Sequence, residues 1–245
     1  MDRPRKILRL TGADTATFLQ GLITNDLDKM GDALLYAAIL TPQGKYLADF
    51  FLCRDGDAIL MDVDAEQAPA LAQRLTMYKL RADVTIVETD LHLHHGLGDT
   101  PPDGFADPRA QGLGWRAYRD APQSGDTTDW PALYVAHEIP MSGVELTGDS
   151  YILENGFERI NGVDFRKGCY VGQEVTARMK HKTELRKGLA LVEIDGEAPV
   201  GTPITRDGRA IGTLFSQADG QALAYLRFDK AGDGMIADKA QIKMP

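Results

Sequence analysis

The stretch Arg166-Lys167-Gly168-Cys169-Tyr170-Val171-Gly172-Gln173-Glu174, followed by Arg178, is the densest signal in this 245-residue chain. Two glycines flank a cysteine and an aromatic, so the backbone there can turn tightly or approach a ligand closely. Cys169 stands close to two cations, and nearby positive charge favours the thiolate, the form that acts as nucleophile or soft ligand. The positive character runs on to Lys187: residues 166–187 hold seven basic side chains and two acidic ones. That window is +5 in a chain of net charge −9, so the other 223 residues sum to −14. Clustered cations concentrate a carboxylate or phosphate ligand. The acidic total, with a pI near 5.0, excludes a whole-surface nucleic-acid binder. A hydrophobic share of 43% with 26% charged residues excludes disorder and fibrous repeats.

Upstream, Ile7–Leu10 reads as a strand, and Asp14 is placed to cap a helix that Gly31 ends. Leu34–Leu40 and Tyr46–Cys53 read as strands joined by a Thr41-Pro42-Gln43-Gly44 turn, and Ala58–Val63 as a third. A helix over about Ala65 to Leu80 and a strand at Val84–Val87 follow. The order β, α, β, β, β, α, β predicts an antiparallel α+β layer. Trp115–Tyr118 and Leu133–Ile139 read as strands, and Leu153–Ile160 as a helix. Beyond Lys187, short apolar stretches separated by Asp207-Gly208 and Asp219-Gly220 predict a small antiparallel barrel or sandwich. The expected division is an α+β region over 1–183 and a barrel over 184–245.

Only Cys53 and Cys169 occur, which implies no disulfide framework and suits a reducing cytoplasm. The opening residues lack the apolar stretch of a secretory signal, and no apolar run approaches the roughly 18–20 residues of a membrane span. A cytoplasmic protein is expected. One thiolate cannot hold an iron–sulfur cluster, which takes four protein ligands. His92 and His94 would share a strand face with His95 beside them, but further zinc ligands at workable spacing are missing, so no metal is expected. Nucleotide-binding glycine loops, a GxSxG elbow and an HExxH pair are absent from the sequence.

Lys167–Glu174 with Arg178 resembles the K-G-C-[Y/F]-x-G-Q-E-x-x-x-R signature of the YgfZ family, folate-binding proteins related to the glycine-cleavage T-protein, an aminomethyltransferase. Thr24-Asn25-Asp26, Tyr36, Gly162-Val163-Asp164-Phe165 and Gly212-Thr213-Leu214-Phe215-Ser216 extend the resemblance over almost the whole chain. It implies intertwined α+β subdomains around a central folate hole plus a C-terminal β-barrel. It also implies support of iron–sulfur cluster assembly or repair and of iron–sulfur-dependent tRNA modification, with iron–sulfur enzymes or assembly proteins as partners.

The implied ligand is tetrahydrofolate, in a polyglutamyl form. A pterin presents an amidine-like donor edge that one carboxylate pairs with, and Glu154 in Leu153-Glu154 matches the T-protein glutamate by position. Arg186 resembles the arginine that meets the anionic tail, with Arg178 or Lys180 sharing the task. Lys167, Tyr170 and Gln173 complete the implied folate set, and Cys169 and Asp49 the reactive one. T-proteins carry two adjacent acids after a Gly-Gly turn. Here Ala48 replaces the first of those acids and Lys45 the second glycine, which removes an acceptor able to orient or protonate the folate nitrogen. The implied function is a folate-binding accessory protein; the alternative is a folate-dependent one-carbon transferase.

Overall fold

The computed structural model describes residues 3–181 and 185–245. The chain divides into two units: Asp2–Thr128 with Glu158–Glu174, and Asp129–Phe157 with Val175–Pro245. The boundary expected between 183 and 184 falls outside the described residues.

In the first unit, strand β1 (Arg5–Thr11) leads to helix α1 (Thr15–Gln20) and to strands β2 (Leu35–Leu40), β3 (Tyr46–Asp55) and β4 (Ala58–Asp64). Helix α2 (Ala68–Lys79) and strand β5 (Thr85–Glu88) follow, so the element order is the expected one. The strands form one antiparallel sheet in the order β2-β3-β4-β1-β5. Period-two alternation decides what each face carries. Ala48, Phe50 and Leu52 of β3 join Leu10, Ile39, Met61 and Val63 in a core closed by Leu19, Leu71 and Leu75 of the helices. Burying such side chains contributes about 1.5–3 kcal/mol each.

Asp49, Phe51 and Asp62 alternate with those core residues, and their environment is ionic. Strands β6 (His92–Gly96), β7 (Phe105–Ala106) and β8 (Trp115–Arg119) form a second sheet. From β8, the Arg116 guanidinium reaches Asp62 Oδ2 at 2.9 Å, and the Tyr118 hydroxyl donates to the same oxygen at 3.1 Å. Arg5 meets Asp62 Oδ1 at 2.6 Å. Arg109 forms a two-pronged pair with Asp107 at 3.0 and 2.8 Å. The Arg116, Arg109 and Arg5 guanidinium carbons stand 4.2, 4.8 and 5.8 Å from the Phe51 ring centroid. Three cations thus share one buried aromatic, each with a carboxylate partner.

The second unit contains helix α3 (Trp130–Ala136), and helix α4 (Gln173–His181) runs out of the Cys169 loop. Strands β9 (Lys187–Asp195), β10 (Pro203–Arg206), β11 (Arg209–Ala218), β12 (Gln221–Arg227), β13 (Met235–Ala237) and β14 (Ala240–Lys243) close into a barrel in the order β10-β11-β12-β9-β14-β13. Val192, Ile204, Leu214, Leu226 and Ile242 fill it. Buried Glu145 ties the 129–157 segment to β11: Oε1 accepts from Ser216 N at 3.1 Å and Ser216 Oγ at 2.6 Å, and Oε2 from Met141 N at 2.8 Å.

Three elements differ from expectation. The first helix stops at Gln20 instead of reaching Gly31, because Ile23 bridges to Ile39 and the Thr24 hydroxyl donates to Gly162 O, which draws the chain out of helical register. Asp14 makes no side-chain cap; its carboxylate accepts from Asp83 N instead. Leu133–Ile139 belongs to helix α3 and the turn after it. The Asp129 side chain accepts from Ala132 N, and Trp130, Tyr134 and Val135 bury one helical face. At Leu153–Ile160 only a 3-10 turn over Leu153–Asn155 forms, since Gly156 turns the chain at φ +75°.

Candidate functional site

The Lys167–Gly172 segment is anchored on both sides of Cys169. Lys167 is buried, and its ammonium donates to Gln20 O at 2.8 Å and Ile23 O at 2.5 Å, carbonyls left open where α1 ends. It also stands 4.9 Å from the Tyr170 ring centroid, and burial pushes its pKa down to about 8. Tyr170 is buried, Val171 packs against the core and donates its N–H to Gly21 O at 3.3 Å. Gly172, at φ +87°, lies against the Thr41–Gly44 turn so closely that a Cβ would meet Thr41 O at 2.6 Å. The Gln173 N–H donates to Tyr170 O at 3.2 Å and α4 begins there. Between these anchors only Gly168 and Cys169 are exposed.

The other motifs of the sequence serve the same seat. Thr24 O accepts from Asp164 N at 3.1 Å, and Asn25 Nδ2 donates to Tyr36 O and Asn161 O at 2.8 Å each. Lys29 pairs with Asp164. Thr24-Asn25-Asp26 and Gly162-Val163-Asp164 are therefore a clasp that docks the 158–174 segment.

The two thiols differ sharply. Cys169 is exposed, whereas Cys53 is buried in β3 and burial pushes its pKa up to about 12. Titration with a maleimide at neutral pH is expected to modify one thiol per native chain, Cys169, and two only after denaturation. Two fast thiols in the native protein would contradict this placement.

Asp49, singled out as an acid of the reactive set, is buried with both oxygens occupied. Oδ2 accepts from the Tyr36 hydroxyl at 3.0 Å and Oδ1 from the Tyr46 hydroxyl at 2.5 Å. Burial and this carboxylate hold the Tyr36 phenol well above its usual pKa. His94 lies in β6 with Nε2 2.6 Å from Ala121 O and Nδ1 3.3 Å from Arg119. His95 faces Asp126 at 3.3 Å. No group of three potential metal ligands converges among the described residues.

In the barrel-bearing unit, Glu154 sits in the 3-10 turn at 8% exposure. Its Oε2 accepts from the Tyr225 hydroxyl of β12 at 2.5 Å and lies 3.6 Å from Lys187 Nζ of β9. Lys187 Nζ stands 5.4 Å from the Tyr225 ring centroid. Oε1 has no partner among the described residues. A nearly buried carboxylate with one fixed and one open oxygen can accept a further hydrogen-bond donor. Arg178 and Arg186 are both exposed and make no ion pair among the described residues. Tyr225 and Lys187 escaped the sequence reading: Tyr225 lies 71 residues from Glu154, and nothing local marks it.

The glycine cleavage system aminomethyltransferase T of Bartonella henselae matches with a TM-score of 0.73 over 97% of this chain and 81% of that one, at 12% sequence identity. The fold is that of the glycine-cleavage T-protein, with a closed six-strand C-terminal barrel. Residues 186–245 match the family described as CAF17, C-terminal beta-barrel domain. The mitochondrial iron-sulfur cluster assembly factor IBA57 of Mus musculus is 32% identical over 91% of this chain and 75% of its own length. That of Homo sapiens is 29% identical over 92% and 76%. The mitochondrial IBA57 homolog of Mycosarcoma maydis is 33% identical over 75% of this chain and 54% of its own length, so the chain spans about half of that fungal relative. The chain belongs to the IBA57/CAF17 family.

These names overturn the cytoplasmic expectation, since the relatives are mitochondrial proteins. Two cysteines argue only against a disulfide framework, and that property does not separate one reducing compartment from another.

Proposed function

We propose that this chain is an iron–sulfur cluster assembly factor that binds tetrahydrofolate as an accessory ligand and presents Cys169 to a partner. Membership of a family whose relatives are named assembly factors supports the first part. The open Oε1 of Glu154 carries the second: it can accept an N–H from the donor edge of a pterin, with Lys187 as a counter-charge beside the other oxygen. Arg186 and Arg178 are free to meet an anionic glutamyl tail, and the motif Lys167–Glu174 supports a YgfZ-like reading. Cys169 supplies one sulfur ligand, so a cluster passing over it needs its other ligands from the partner protein. Enzymes that modify tRNA with iron–sulfur chemistry are the expected beneficiaries.

The one-carbon transferase reading is the weaker one. A T-protein-like reaction needs a carboxylate free to orient or protonate the folate, whereas Asp49 already accepts two phenol hydroxyls and Ala48 stands where the other acid would be.

Calorimetry with tetrahydrofolate tests the ligand. The wild type is expected to bind, and Glu154→Ala to weaken binding by about tenfold to a hundredfold, the worth of a charge-assisted pair. Cys169→Ala is expected to bind folate normally and to fail in restoring iron–sulfur enzyme activity to cells lacking the chain. Full restoration by Cys169→Ala would remove the thiol from the function, and turnover of bound folate with a methyl or aminomethyl donor would revive the transferase.

A further inference from the structure

We propose that Tyr225 and Lys187 are the positioning residues of Glu154, and that together they fix which of its oxygens meets the ligand; this rests on the folate reading above. The two side chains come from paired strands of the barrel. Tyr225 lies opposite Leu189 and Arg227 opposite Lys187, so Tyr225 and Lys187 are diagonal neighbours on one face. That face carries both contacts to Glu154, the hydroxyl at 2.5 Å and the ammonium at 3.6 Å, and both fall on Oε2.

The backbone beneath is held as well. Gly188, next to Lys187 in β9 and opposite Leu226 of β12, lies so close to Glu154 that a Cβ there would stand 2.8 Å from its carbonyl oxygen. The barrel thus supplies close backbone packing at Gly188, a clamp at Tyr225 and a counter-charge at Lys187, and both side-chain contacts hold Oε2. In that arrangement Oε1 is open, whereas Oε2 is taken by Tyr225 and Lys187. Burial, together with Glu154 itself, raises the Tyr225 pKa far above neutrality, so the phenol remains a donor throughout the physiological range. An open, nearly buried acceptor held this way selects a ligand that offers it an N–H donor and rejects one that lacks that donor, because the acceptor is then left unmet.

The test pairs Tyr225→Phe with two ligands, tetrahydrofolate and its analogue lacking the 2-amino group. Tyr225→Phe keeps the ring and removes only the clamp. Its Kd for tetrahydrofolate is expected to rise about tenfold, the worth of one hydrogen bond to a charged group, while its Kd for the analogue changes less than twofold. Lys187→Met is expected to weaken tetrahydrofolate in the same sense. Tetrahydrofolate binding by Tyr225→Phe within twofold of wild type would overturn the proposal, and so would an equal loss for both ligands, which marks a merely structural residue. If the wild type binds and Glu154→Gln binds equally well, the folate reading of Glu154 fails instead. A wild type that does not bind at all removes both.

Discussion

Asp62→Asn is expected to unfold the first unit at markedly lower denaturant, with a loss of about 3–5 kcal/mol, because it takes the ion-pair partner from Arg5 and leaves buried Arg116 only its longer contact to Asp107 at 3.8 Å. The substitution preserves size, but its amide nitrogen donates where Asp62 only accepts, so the loss combines charge with a lost acceptor. Arg5 and Arg116 both converge on this carboxylate, and Tyr118 donates to it. Against total stabilities of about 5–15 kcal/mol this is a large fraction. The two tryptophans lie one in each unit, Trp115 and Trp130, so Trp130→Phe leaves Trp115 as a fluorescence reporter of the unit in question. A urea midpoint unchanged by Asp62→Asn would show that the ionic layer contributes little.

The same carboxylate sets an acid limit. Burial raises its pKa, but Arg5 and Arg116 outweigh burial and bring it down to about 2. A carboxylate depressed in the folded state binds fewer protons there than in the unfolded chain, so its stabilisation is present above the ordinary carboxylate pKa and is lost as pH falls toward 2. Its share is about 2 kcal/mol between pH 5 and 2, and Asp62→Asn is expected to flatten that part of the stability–pH curve.

What sequence reasoning reached here was whatever alternation and turn chemistry encode locally. Strands β2 to β4 were legible because Ala48, Phe50 and Leu52 alternate with residues of the other face. The barrel hairpins were legible from Asp207-Gly208 and Asp219-Gly220, where all four residues have positive φ, as tight hairpin turns demand. Helix α3 was not, because Leu133–Ile139 is an apolar run whose helical identity is decided just upstream, by the Asp129 cap and Pro131 in the first turn. The candidate site divides in the same way. Cys169 and Glu154 stood out in short motifs, yet Lys167 resembles a ligand-binding cation by motif while its ammonium is spent on two carbonyls more than 140 residues away. Tyr225 lies 71 residues from the carboxylate it clamps. Long-range contacts of this kind leave no periodicity in the chain.

Gly172→Ala is expected to cost about 2–4 kcal/mol and to abolish support of iron–sulfur enzymes, although it removes no polar group. Two costs add. At φ +87° a side chain on this backbone is strained by roughly 1–2 kcal/mol. The new Cβ would also stand 2.6 Å from Thr41 O and 2.9 Å from Leu40 Cβ. Neither neighbour can yield cheaply. Thr41 O already accepts from Gly44 N at 2.8 Å, and Thr41 N donates to Lys45 O at 2.8 Å, so displacing that carbonyl breaks the β2–β3 turn. Relief must come instead from the Cys169 side, where Val171 N loses Gly21 O and the loop slides off its seat. The exposed thiol survives chemically while its placement is lost. Maleimide reactivity of Cys169 is therefore expected to persist in Gly172→Ala, while the midpoint of denaturation drops and cellular iron–sulfur activity falls to the level of Cys169→Ala. Wild-type activity in Gly172→Ala would mean that the thiol works from any position, and that the rigid presentation of Cys169 has no part in the function.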